Sequence, residues 1–390
     1  MKCRNCNHLL KYKFVDLKTC PPSNAMITNE SLSKPEIYFP LNVYVCEKCW
    51  LVQANEINNP DFIFNNNYTY FSSYSKSWLK HCEAYVNYMI ENFNFNTKSK
   101  VLEIASNDGY LLQFFKKKNI PVLGIEPTSN TAKIATEKGI NCIINFFTKK
   151  LANDELKNSA DLIIGNNVLA HVPDLNDFVA GVKIALKKSG IGTFEFPHLL
   201  KLIKYNQFDT IYHEHYSYLS LLFLNKLFKN HSLEVFDVEE LKTHGGSLRI
   251  YIKKDKKVKI ESSVKNMLRE EEKFGIKKFE TYKKFGDTVY QIRDNVRKNI
   301  NKFKKDNKLV IGYGAPAKAT TALNFFGITH EIDYVVEDNK LKHNKFIPGV
   351  NIPIKNKKQI KDKKNTLIVL AWNFYKDIKR NNNELSNNFV

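Results

Sequence analysis

The sequence predicts an α/β protein in which a doubly wound parallel sheet lies between two smaller units. Three observations along the 390 residues predict this fold class. Two Cys-x-x-Cys pairs lie near the beginning, strand and helix patterns alternate over residues 99–197, and a second alternation starts at residue 308. Strands that alternate with helices are typical of a parallel sheet covered by helices on both faces.

The composition fits two or three folded domains. Hydrophobic residues make up 43% of the chain and aromatic residues 13%, which is enough for real cores. No signal-peptide core and no membrane-spanning apolar run is present, so we expect a cytoplasmic protein without a membrane partner. The net charge of +20 comes mostly from Lys dispersed among Asn. This pattern favours a solvated basic surface over nucleic-acid binding, although a basic cleft would also attract an anionic ligand.

Four cysteines predict a structural zinc site. Cys3 with Cys6, and Cys46 with Cys49, have the spacing that lets two thiolates reach one tetrahedral ion. Coincidental pairs or redox motifs are the alternative, and the repeated spacing in a cytosolic context favours zinc. The chain between the pairs must fold back to bring them together. A closed site of four thiolates leaves no open position for catalysis.

The rest of the chain divides into predicted elements in order. We predict strands at KVLEIAS, PVLGIEP, INCIINFF, ADLIIGNN and GIGTFEFP, with helices at YLLQFFKKK, SNTAKIATEKG and NDFVAGVKIALKKSG. The helix SLLFLNKLFKNH follows, and LEVFDVEEL and GSLRIYIKK could add an antiparallel pair to the sheet edge. Residues 260–307 read as helical, and KLVIGYG, IDYVVEDN and NTLIVLAWNF as strands of a Rossmann-like unit. The predicted domains are residues 1–58, 59–258 and 259–390.

A nucleotide-type loop follows the first strand of the predicted central sheet. In VLEIASNDGYLL the strand ends near Glu103, and Gly109 permits a close backbone approach to a ligand. Ala105 and Asn107 stand where glycines often occur. Glu126 ends the next strand in GIEP, where an acid accepts ribose hydroxyls; a surface Glu is the alternative.

Polar residues also follow the fourth strand of the same sheet. The segment IIGNNVLAHVPD places Asn166, Asn167 and His171 after the strand. Ligands of doubly wound sheets bind at the carboxyl ends of the strands. We therefore expect these three side chains at the ligand-binding edge.

Titratable residues cluster after the last core strand. FDTIYHEHYSYLS contains Tyr212, His213, Glu214 and His215, and His is the natural proton carrier near neutral pH. The two His also invite a metal interpretation, but we expect their side chains to point to opposite faces of the segment. Either His taken singly could be a core or surface residue. Their clustering with Tyr and Glu favours an active site.

Two glycine-containing turns offer further ligand contacts. THGGSLRIY places His244, Gly245 and Gly246 before a strand, and Arg249 could hold a carboxylate or phosphate or pair with a surface acid. GYGAPAKA, residues 312–319, is a strand-to-helix turn suited to an anion at a helix N-terminus. It matches neither the P-loop nor a complete dinucleotide fingerprint.

These segments together resemble the zinc-containing sugar C-methyltransferases that modify nucleotide-linked deoxysugars. The resemblance covers nearly the whole chain, and it departs at the end, where NNNELSNNFV replaces a further strand of similar proteins. It rests on CRNC…CEKC, YFSSYSKSWLKH, VLEIASNDGYLL, GIEP, NVLAHVPD, FDTIYHEHYSYLS, HGGSLRIY, GYGAPAKATT and EDNKLKHNKFIPGVNIPI.

The resemblance implies a monomeric enzyme that uses S-adenosylmethionine and a nucleotide-diphosphate keto-sugar. A base would remove the proton beside the ketone before the carbon is methylated. The implied base is His215, with Tyr212 and Glu214 as its supports and His171 as a sugar contact. The expected cofactor contacts are Tyr74, Glu103, Ala105, Asn107, Gly109, Glu126, Pro127, Asn166 and Asn167. The expected substrate contacts are Glu195, His198, His244, Gly245, Gly246, Arg249, Gly314 and Lys318.

Two other functions remain open from the sequence. The basic charge would also suit a zinc-bearing RNA or protein methyltransferase, which in the RNA case would show salt-sensitive nucleic-acid binding. The C-terminal unit would suit a nonenzymatic sugar-nucleotide binding protein, which would lack affinity for S-adenosylmethionine. Methylation of oxygen instead of carbon also remains open.

Overall fold

The computed structural model describes residues 1–55, 71–305, 309–360 and 365–388. Its named strands form three sheets that follow one another along the chain, with one exchange between the first two. The predicted boundary between residues 58 and 59 lies outside the described residues. Within the described residues, no helix is both long and apolar enough to cross a bilayer.

The first sheet is antiparallel and has the strand order β1-β2-β3-β9. The β1–β2 hairpin folds the chain back and so brings the second Cys pair beside the first. The fourth strand comes from residues that the sequence assigned to the central domain. The strands are β1 (Tyr12–Cys20), β2 (Phe39–Val45), β3 (Val52–Ala54) and β9 (Ser217–Tyr218).

The central sheet confirms the predicted doubly wound α/β fold. Its order is β10-β11-β8-β7-β4-β5-β6, with β4 to β8 parallel and the last two strands added antiparallel at one edge. The strands are β4 (Val101–Ile104), β5 (Val122–Ile125), β6 (Cys142–Ile143), β7 (Ala160–Asn166), β8 (Leu186–Pro197), β10 (Glu234–Leu241) and β11 (Ser247–Lys253).

Helices cover both faces of this sheet because its central strands are almost continuously apolar and buried on both sides. The helices are α1 (Lys76–Phe93), α2 (Leu112–Lys117), α3 (Ser129–Glu137), α4 (Lys149–Glu155), α5 (Leu175–Ala185), α6 (Leu199–Lys204) and α7 (Leu221–Asn230). The predicted helix NDFVAGVKIALKKSG is wrong in its last residues. It ends at Ala185, and β8 begins at Leu186, which pairs with Ala160 of β7.

The third sheet is entirely parallel, with the order β14-β13-β12-β15, and confirms a second, smaller Rossmann-like unit. The sequence missed its short edge strand at Ile354–Asn356. The elements are α8 (Ser262–Phe274), α9 (Phe279–Lys305), β12 (Val310–Tyr313), α10 (Ala317–Phe326), β13 (Tyr334–Glu337), β14 (Ile354–Asn356), β15 (Thr366–Val369) and α11 (Tyr375–Asn381).

Helix α9 joins the third unit to the first. Phe14 of β1 stacks on Phe285 with ring centroids 4.6 Å apart and meets the edge of Tyr282 at 5.3 Å. All three rings are buried. The apolar face of this charged helix therefore packs on the first sheet, as its amphipathic pattern predicts.

A buried carboxylate fixes the beginning of α7. Glu271 of α8 accepts hydrogen bonds from the Leu221 and Leu222 amides at 2.6 and 2.7 Å. His198 Nε2 lies 2.6 Å from the same carboxylate, and neither side chain is exposed. First-turn amides have no partner inside their own helix, so Glu271 supplies one from outside. His198, a predicted substrate contact, is thus engaged in holding α7 and α8 together.

We expect Glu271→Ala to lower the free energy of unfolding by about 3 kcal/mol, because it leaves two amides and a buried imidazole without their acceptor. Urea unfolding of the whole chain measures this loss. Glu270→Ala is the matched control, since the Glu270 side chain is 43% exposed and lies 3.9 Å from Lys201. Equal losses in the two variants would contradict the account.

Candidate functional site

The four predicted zinc ligands converge. The sulfur atoms of Cys3, Cys6, Cys46 and Cys49 all lie within 4.8 Å of one another. Cys3 and Cys49 sulfurs are 3.5 Å apart, and Cys6 and Cys46 sulfurs are 3.6 Å apart. Sulfurs at about 2.3 Å from a tetrahedral ion have separations of this size. The group fits a closed structural zinc site.

The loop after β4 has the left-handed backbone that a glycine-rich loop would have. Ala105, Asn107 and Gly109 have φ values of 57°, 49° and 74°. A Cβ at Gly109 would lie 2.5 Å from the Ile140 side chain, so only glycine fits there. The prediction that Ala105 and Asn107 stand at glycine-like positions agrees with this geometry. The loop presents its backbone closely to the carboxyl edge of the sheet.

Acidic groups crowd this loop. Glu103 is fully buried, and burial raises its pKa well above the ordinary value, helped by the nearby charges of Asp108 and Glu126. The side-chain polar atoms of Asn166, at the end of the neighbouring β7, are buried without a hydrogen-bond partner among the described residues. A ligand with a positive charge and hydrogen-bonding groups would relieve both. The amino acid end of S-adenosylmethionine has these properties.

The acid at the end of β5 braces the loop. Glu126 is 4% exposed and accepts hydrogen bonds from the Asn107 amide at 2.8 Å and the Thr128 amide at 2.9 Å. Burial raises its pKa, although these donors oppose that shift. A carboxylate has about four lone-pair positions, so capacity for a ligand hydroxyl remains. Pro127 follows it and is half-buried.

A short segment before α1 lies over the same loop. The Ser72 amide donates to Asn107 Oδ1 at 2.9 Å, and the Ser73 amide to Asp108 Oδ2 at 3.3 Å. The next residue, Tyr74, is 61% exposed. The structure thus places this predicted cofactor contact beside the loop, with its ring largely in solvent.

The predicted base is held in a defined tautomer. His215 Nδ1 lies 2.9 Å from the Thr210 carbonyl oxygen. A carbonyl only accepts, so Nδ1 carries the hydrogen and the lone pair is on Nε2. Burial lowers the pKa of His215 well below the ordinary value, and the charge effects of neighbouring His171, His244 and Lys318 lower it further. The imidazole is therefore neutral at pH 7.

Two predicted partners surround this imidazole. The His171 ring lies edge-on to it at 4.7 Å, and the Tyr212 ring is 4.1 Å away. Burial lowers the pKa of His171 to about 4, so this ring is neutral too. The structure brings together three of the four residues assigned to catalysis.

The fourth, Glu214, does not support His215 in the expected way. Its carboxylate accepts a hydrogen bond from the Asn24 amide group at 2.6 Å, and burial raises its pKa to about 7. His213 packs on Phe39 of β2 at 5.9 Å between ring centroids. His213 and His215 therefore point to different sides, as expected. The cause is a turn, in which the His215 amide donates to the Tyr212 carbonyl at 2.9 Å, since residues two apart in an extended strand would share a face. The group that orients His215 is a backbone carbonyl, for which the sequence has no signal.

The third unit closes the site from above the carboxyl edge. The Trp372 indole donates to Asp209 Oδ2 at 2.6 Å, and Lys318 Nζ lies 4.2 Å from the centre of the Trp372 ring. Lys318 also donates to Asn373 at 3.0 Å. Its charge is one of the influences that lower the pKa of His215. The sequence missed Asp209, Asn373 and Trp372, although FDT and AWN lie inside the quoted motifs.

The tandem-glycine turn forms another wall. His244, Gly245 and Gly246 have φ values of 51°, 85° and 121°, and Asn167 Nδ2 lies 3.0 Å from His244 Nε2. A Cβ at Gly245 would lie 2.6 Å from the Trp372 ring. The glycines are needed for this close contact between the central and third units. Burial lowers the pKa of His244 to about 4.

Arg249 is already neutralised by the protein. It is 3% exposed and donates to Glu195 at 2.6 Å and to Glu239 at 2.7 Å. Burial opposes ionisation of Glu195, but the hydrogen bond from His81 and the charge of Arg249 lower its pKa to about 2. These two predicted substrate contacts form a buried ion pair between β8 and β11, where they are directly opposite in register. This corresponds to the acid-pairing alternative, with a buried acid instead of a surface one.

The predicted anion cradle at residues 312–319 holds an acid of the chain itself. The Ala315 amide donates to Glu337 Oε2 at 2.7 Å, and the Lys342 ammonium donates to the Ala315 carbonyl at 2.7 Å. Gly314 has φ 89°, and a Cβ there would lie 2.6 Å from the Ala371 Cβ. The turn therefore needs glycine for packing, and its Ala315 amide already has Glu337 as its acceptor, while an anionic ligand at the helix N-terminus stays a prediction.

Comparison with known proteins gives matches along the whole chain. Three family models match: a zinc binding domain over residues 3–64, a methyltransferase domain over 77–238 and a C-methyltransferase C-terminal domain over 242–389. C-methyltransferase NovU of Streptomyces niveus is 33% identical over 394 residues, which span 99% of this chain and 93% of that protein.

Solved structures match just under half of the chain. The PH0226 protein of Pyrococcus horikoshii OT3 is 16% identical and covers 47% of this chain and 94% of its own, with a TM-score of 0.41. An S-adenosylmethionine-dependent methyltransferase of Clostridium acetobutylicum ATCC 824 is 14% identical and covers 45% and 91%, with a TM-score of 0.38.

We expect the purified chain to contain one zinc ion and Cys46→Ser to lose it, because three thiolates leave the tetrahedral site open. Metal analysis by mass spectrometry measures the zinc content. Cys142→Ser is the control, since Cys142 lies outside the four-sulfur group. Full zinc retention in Cys46→Ser would remove the assignment.

Glu126→Ala should weaken S-adenosylmethionine binding by about 1–3 kcal/mol, the cost of losing hydrogen bonds to a charged group. Isothermal titration calorimetry measures the affinity. Glu137→Ala, at an exposed position at the end of α3, should bind like the wild type. Unchanged affinity in Glu126→Ala would place the adenosyl group elsewhere.

Proposed function

The chain belongs to the C-methyltransferase family with an N-terminal zinc-binding domain, and on this premise we propose that it methylates a carbon beside the ketone of a nucleotide-linked deoxysugar. The observation that carries the proposal is the neutral, buried His215 with its Nδ1 hydrogen bonded to the Thr210 carbonyl. This geometry is that of a general base.

Proton removal is the step that His215 performs. A ketone acidifies the neighbouring C–H bond, and Nε2 of His215 takes that proton, while the C–H electron pair becomes the enolate of the sugar. Residues at the carboxyl ends of β4, β5 and β7 would hold S-adenosylmethionine, whose sulfonium methyl would bond to the enolate carbon as the S–CH₃ bond breaks and S-adenosylhomocysteine leaves. The depressed pKa of His215 keeps it unprotonated before the reaction. The proton then leaves to solvent after each turnover.

Charge on the enolate oxygen needs a partner. The charge of Lys318 contributes to the lowered pKa of His215, and burial lowers the pKa of Lys318 itself. We assign it to the sugar nucleotide, where it holds either the developing oxyanion or the diphosphate. Tyr212, stacked near His215, can donate its hydroxyl to the same oxygen, and His171 and His244 line the sugar site as neutral groups.

A substrate panel tests the proposed class. Nucleotide-linked 4-keto and 3-keto deoxysugars, their reduced counterparts, RNA and a protein extract are each incubated with enzyme and S-adenosylmethionine, and mass spectrometry detects a gain of one methyl group. We expect methylation of a keto-sugar and none of its reduced counterpart. Methylation of RNA or protein instead would favour the second function class and overturn the proposal.

We expect His215→Asn to retain the fold and both ligands but to lose turnover by about 10²- to 10⁴-fold, the usual contribution of a general base. Steady-state kinetics and calorimetry separate these effects. His213→Asn is the control in the same segment, because His213 packs on Phe39 away from His215. Turnover lost in His213→Asn and kept in His215→Asn would assign the base to the other His.

The pH profile follows from the same burial. The pKa of His215 is below its ordinary value of about 6.5, so the acid limb of kcat/KM should lie below pH 6.5.

Keto-sugar in deuterated water without methyl donor should also exchange its acidic hydrogen in the presence of the wild-type enzyme and not in the presence of His215→Asn. Exchange that survives in His215→Asn would show that another group removes the proton.

A further inference from the structure

A residue of the first zinc knuckle contacts the catalytic segment directly. Arg4 lies between Cys3 and Cys6, and its Nη1 donates to the Tyr216 carbonyl at 2.6 Å. Its Nη2 donates to the Ala54 carbonyl at 2.7 Å. One guanidinium therefore joins the end of β3 to the residue that follows His215. The guanidinium also lies 5.2 Å from the centre of the buried Tyr216 ring.

The strand pairing that this contact reinforces is very short. Ladder partners between β3 and β9 are Val52 with Tyr218 and Gln53 with Ser217. The Ala54 amide adds a hydrogen bond to the Tyr216 carbonyl at 3.1 Å. Two such pairs hold a strand weakly by themselves, since an isolated ladder of this length is marginal. Charge-assisted bonds from Arg4 are roughly twice as strong as neutral ones and extend the junction to Tyr216.

The backbone of Arg4 is itself fixed by the metal knuckle. The Arg4 amide donates to Gln53 Oε1 at 3.0 Å, and Gln53 Nε2 lies 3.3 Å from the Cys3 sulfur. Gln53 is fully buried. These two contacts fix the position of Arg4 relative to both the zinc knuckle and β3.

We infer that Arg4 is a positioning residue, through which the zinc knuckle holds the backbone of residues 212–218 and so the direction of the His215 imidazole. This inference rests on the proposed role of His215 as the base. The His215 amide donates to the Tyr212 carbonyl at 2.9 Å. Because His215 is in this tight turn and Tyr216 follows it directly, a shift of the Tyr216 backbone also reorients the imidazole. The zinc site thereby contributes to proton removal although it is closed and takes no part in the chemistry.

The planar fork of arginine is what this position requires. Lysine has a single ammonium at the end of a flexible chain and cannot bridge two carbonyls in one plane. Arg4→Lys therefore retains the charge but loses the bridge, and Arg4→Met retains only the apolar stem. Lys48→Met is the matched control, because Lys48 lies between Cys46 and Cys49 in the other knuckle and is exposed.

Four measurements on the full-length, zinc-loaded chain test the inference. Hydrogen–deuterium exchange should rise in peptides covering residues 212–218 of Arg4→Met and stay unchanged in those covering 99–125. Zinc content and S-adenosylmethionine affinity should match the wild type. The kcat should fall about 10- to 100-fold with KM within twofold, as expected for a displaced catalytic group. The kcat of Arg4→Lys should lie between those of Arg4→Met and the wild type, and the kcat of Lys48→Met should equal that of the wild type.

The inference is overturned by unchanged exchange at 212–218, by unchanged kcat in Arg4→Met, or by equal losses of kcat in Arg4→Met and Lys48→Met. Loss of zinc in Arg4→Met would also overturn it, since Arg4 would then act by maintaining the metal site. A wild-type enzyme that methylates no keto-sugar defeats the proposed function instead. The exchange data would in that case still show whether Arg4 holds the segment.

Discussion

Residues 207–220, just before α7, are almost entirely buried, and their backbone polar groups must therefore find hydrogen-bond partners inside the protein. All three units provide them. The first unit supplies Arg4 to the Tyr216 carbonyl. The third unit supplies Thr321 Oγ1 to the Ile211 carbonyl at 3.0 Å, and Trp372 to Asp209. This one requirement explains why a zinc knuckle, a methyltransferase sheet and a Rossmann-like unit meet at the same place.

Burial also sets the chemistry of the site. Taking imidazoles out of water disfavours their charged form, so His171, His215 and His244 are neutral near pH 7. A neutral imidazole can accept a proton, which a charged one cannot. The same burial makes the segment sensitive to acid. The free energy of unfolding falls as the pH drops below about 6.5, because these imidazoles then bind protons in the unfolded chain but stay neutral in the folded protein.

The sequence predicted features that depend on neighbouring residues. The Cys-x-x-Cys spacing and the glycine-like Ala105 and Asn107 are local patterns, and each has the geometry that its motif suggested. Of the residues grouped with His215, Tyr212 and His171 lie beside its ring, whereas Glu214 contacts Asn24. The strand alternation also predicted the central sheet, apart from the beginning of β8 at Leu186.

Features that depend on distant partners were not predictable in this way. Arg249 and Glu195 read as free ligand contacts, yet strand register places them opposite each other as an ion pair. The turn of residues 312–319 reads as an anion cradle, and its Ala315 amide donates to Glu337 of the next strand. Glu214 lies next to His215 in sequence but contacts Asn24 instead. In each case the motif did not specify the partner of the polar group, and a tertiary contact determines it.

The central claim is that the methyl group is transferred to a carbon whose proton His215 has removed. The most direct test uses S-adenosylmethionine with a ¹³C-labelled methyl group and a nucleotide-linked keto-deoxysugar, followed by carbon NMR of the product. The account predicts that the label is bonded to the carbon beside the ketone and that this carbon has lost its original hydrogen. A label bonded to oxygen, or to a carbon that does not adjoin the ketone, would contradict it.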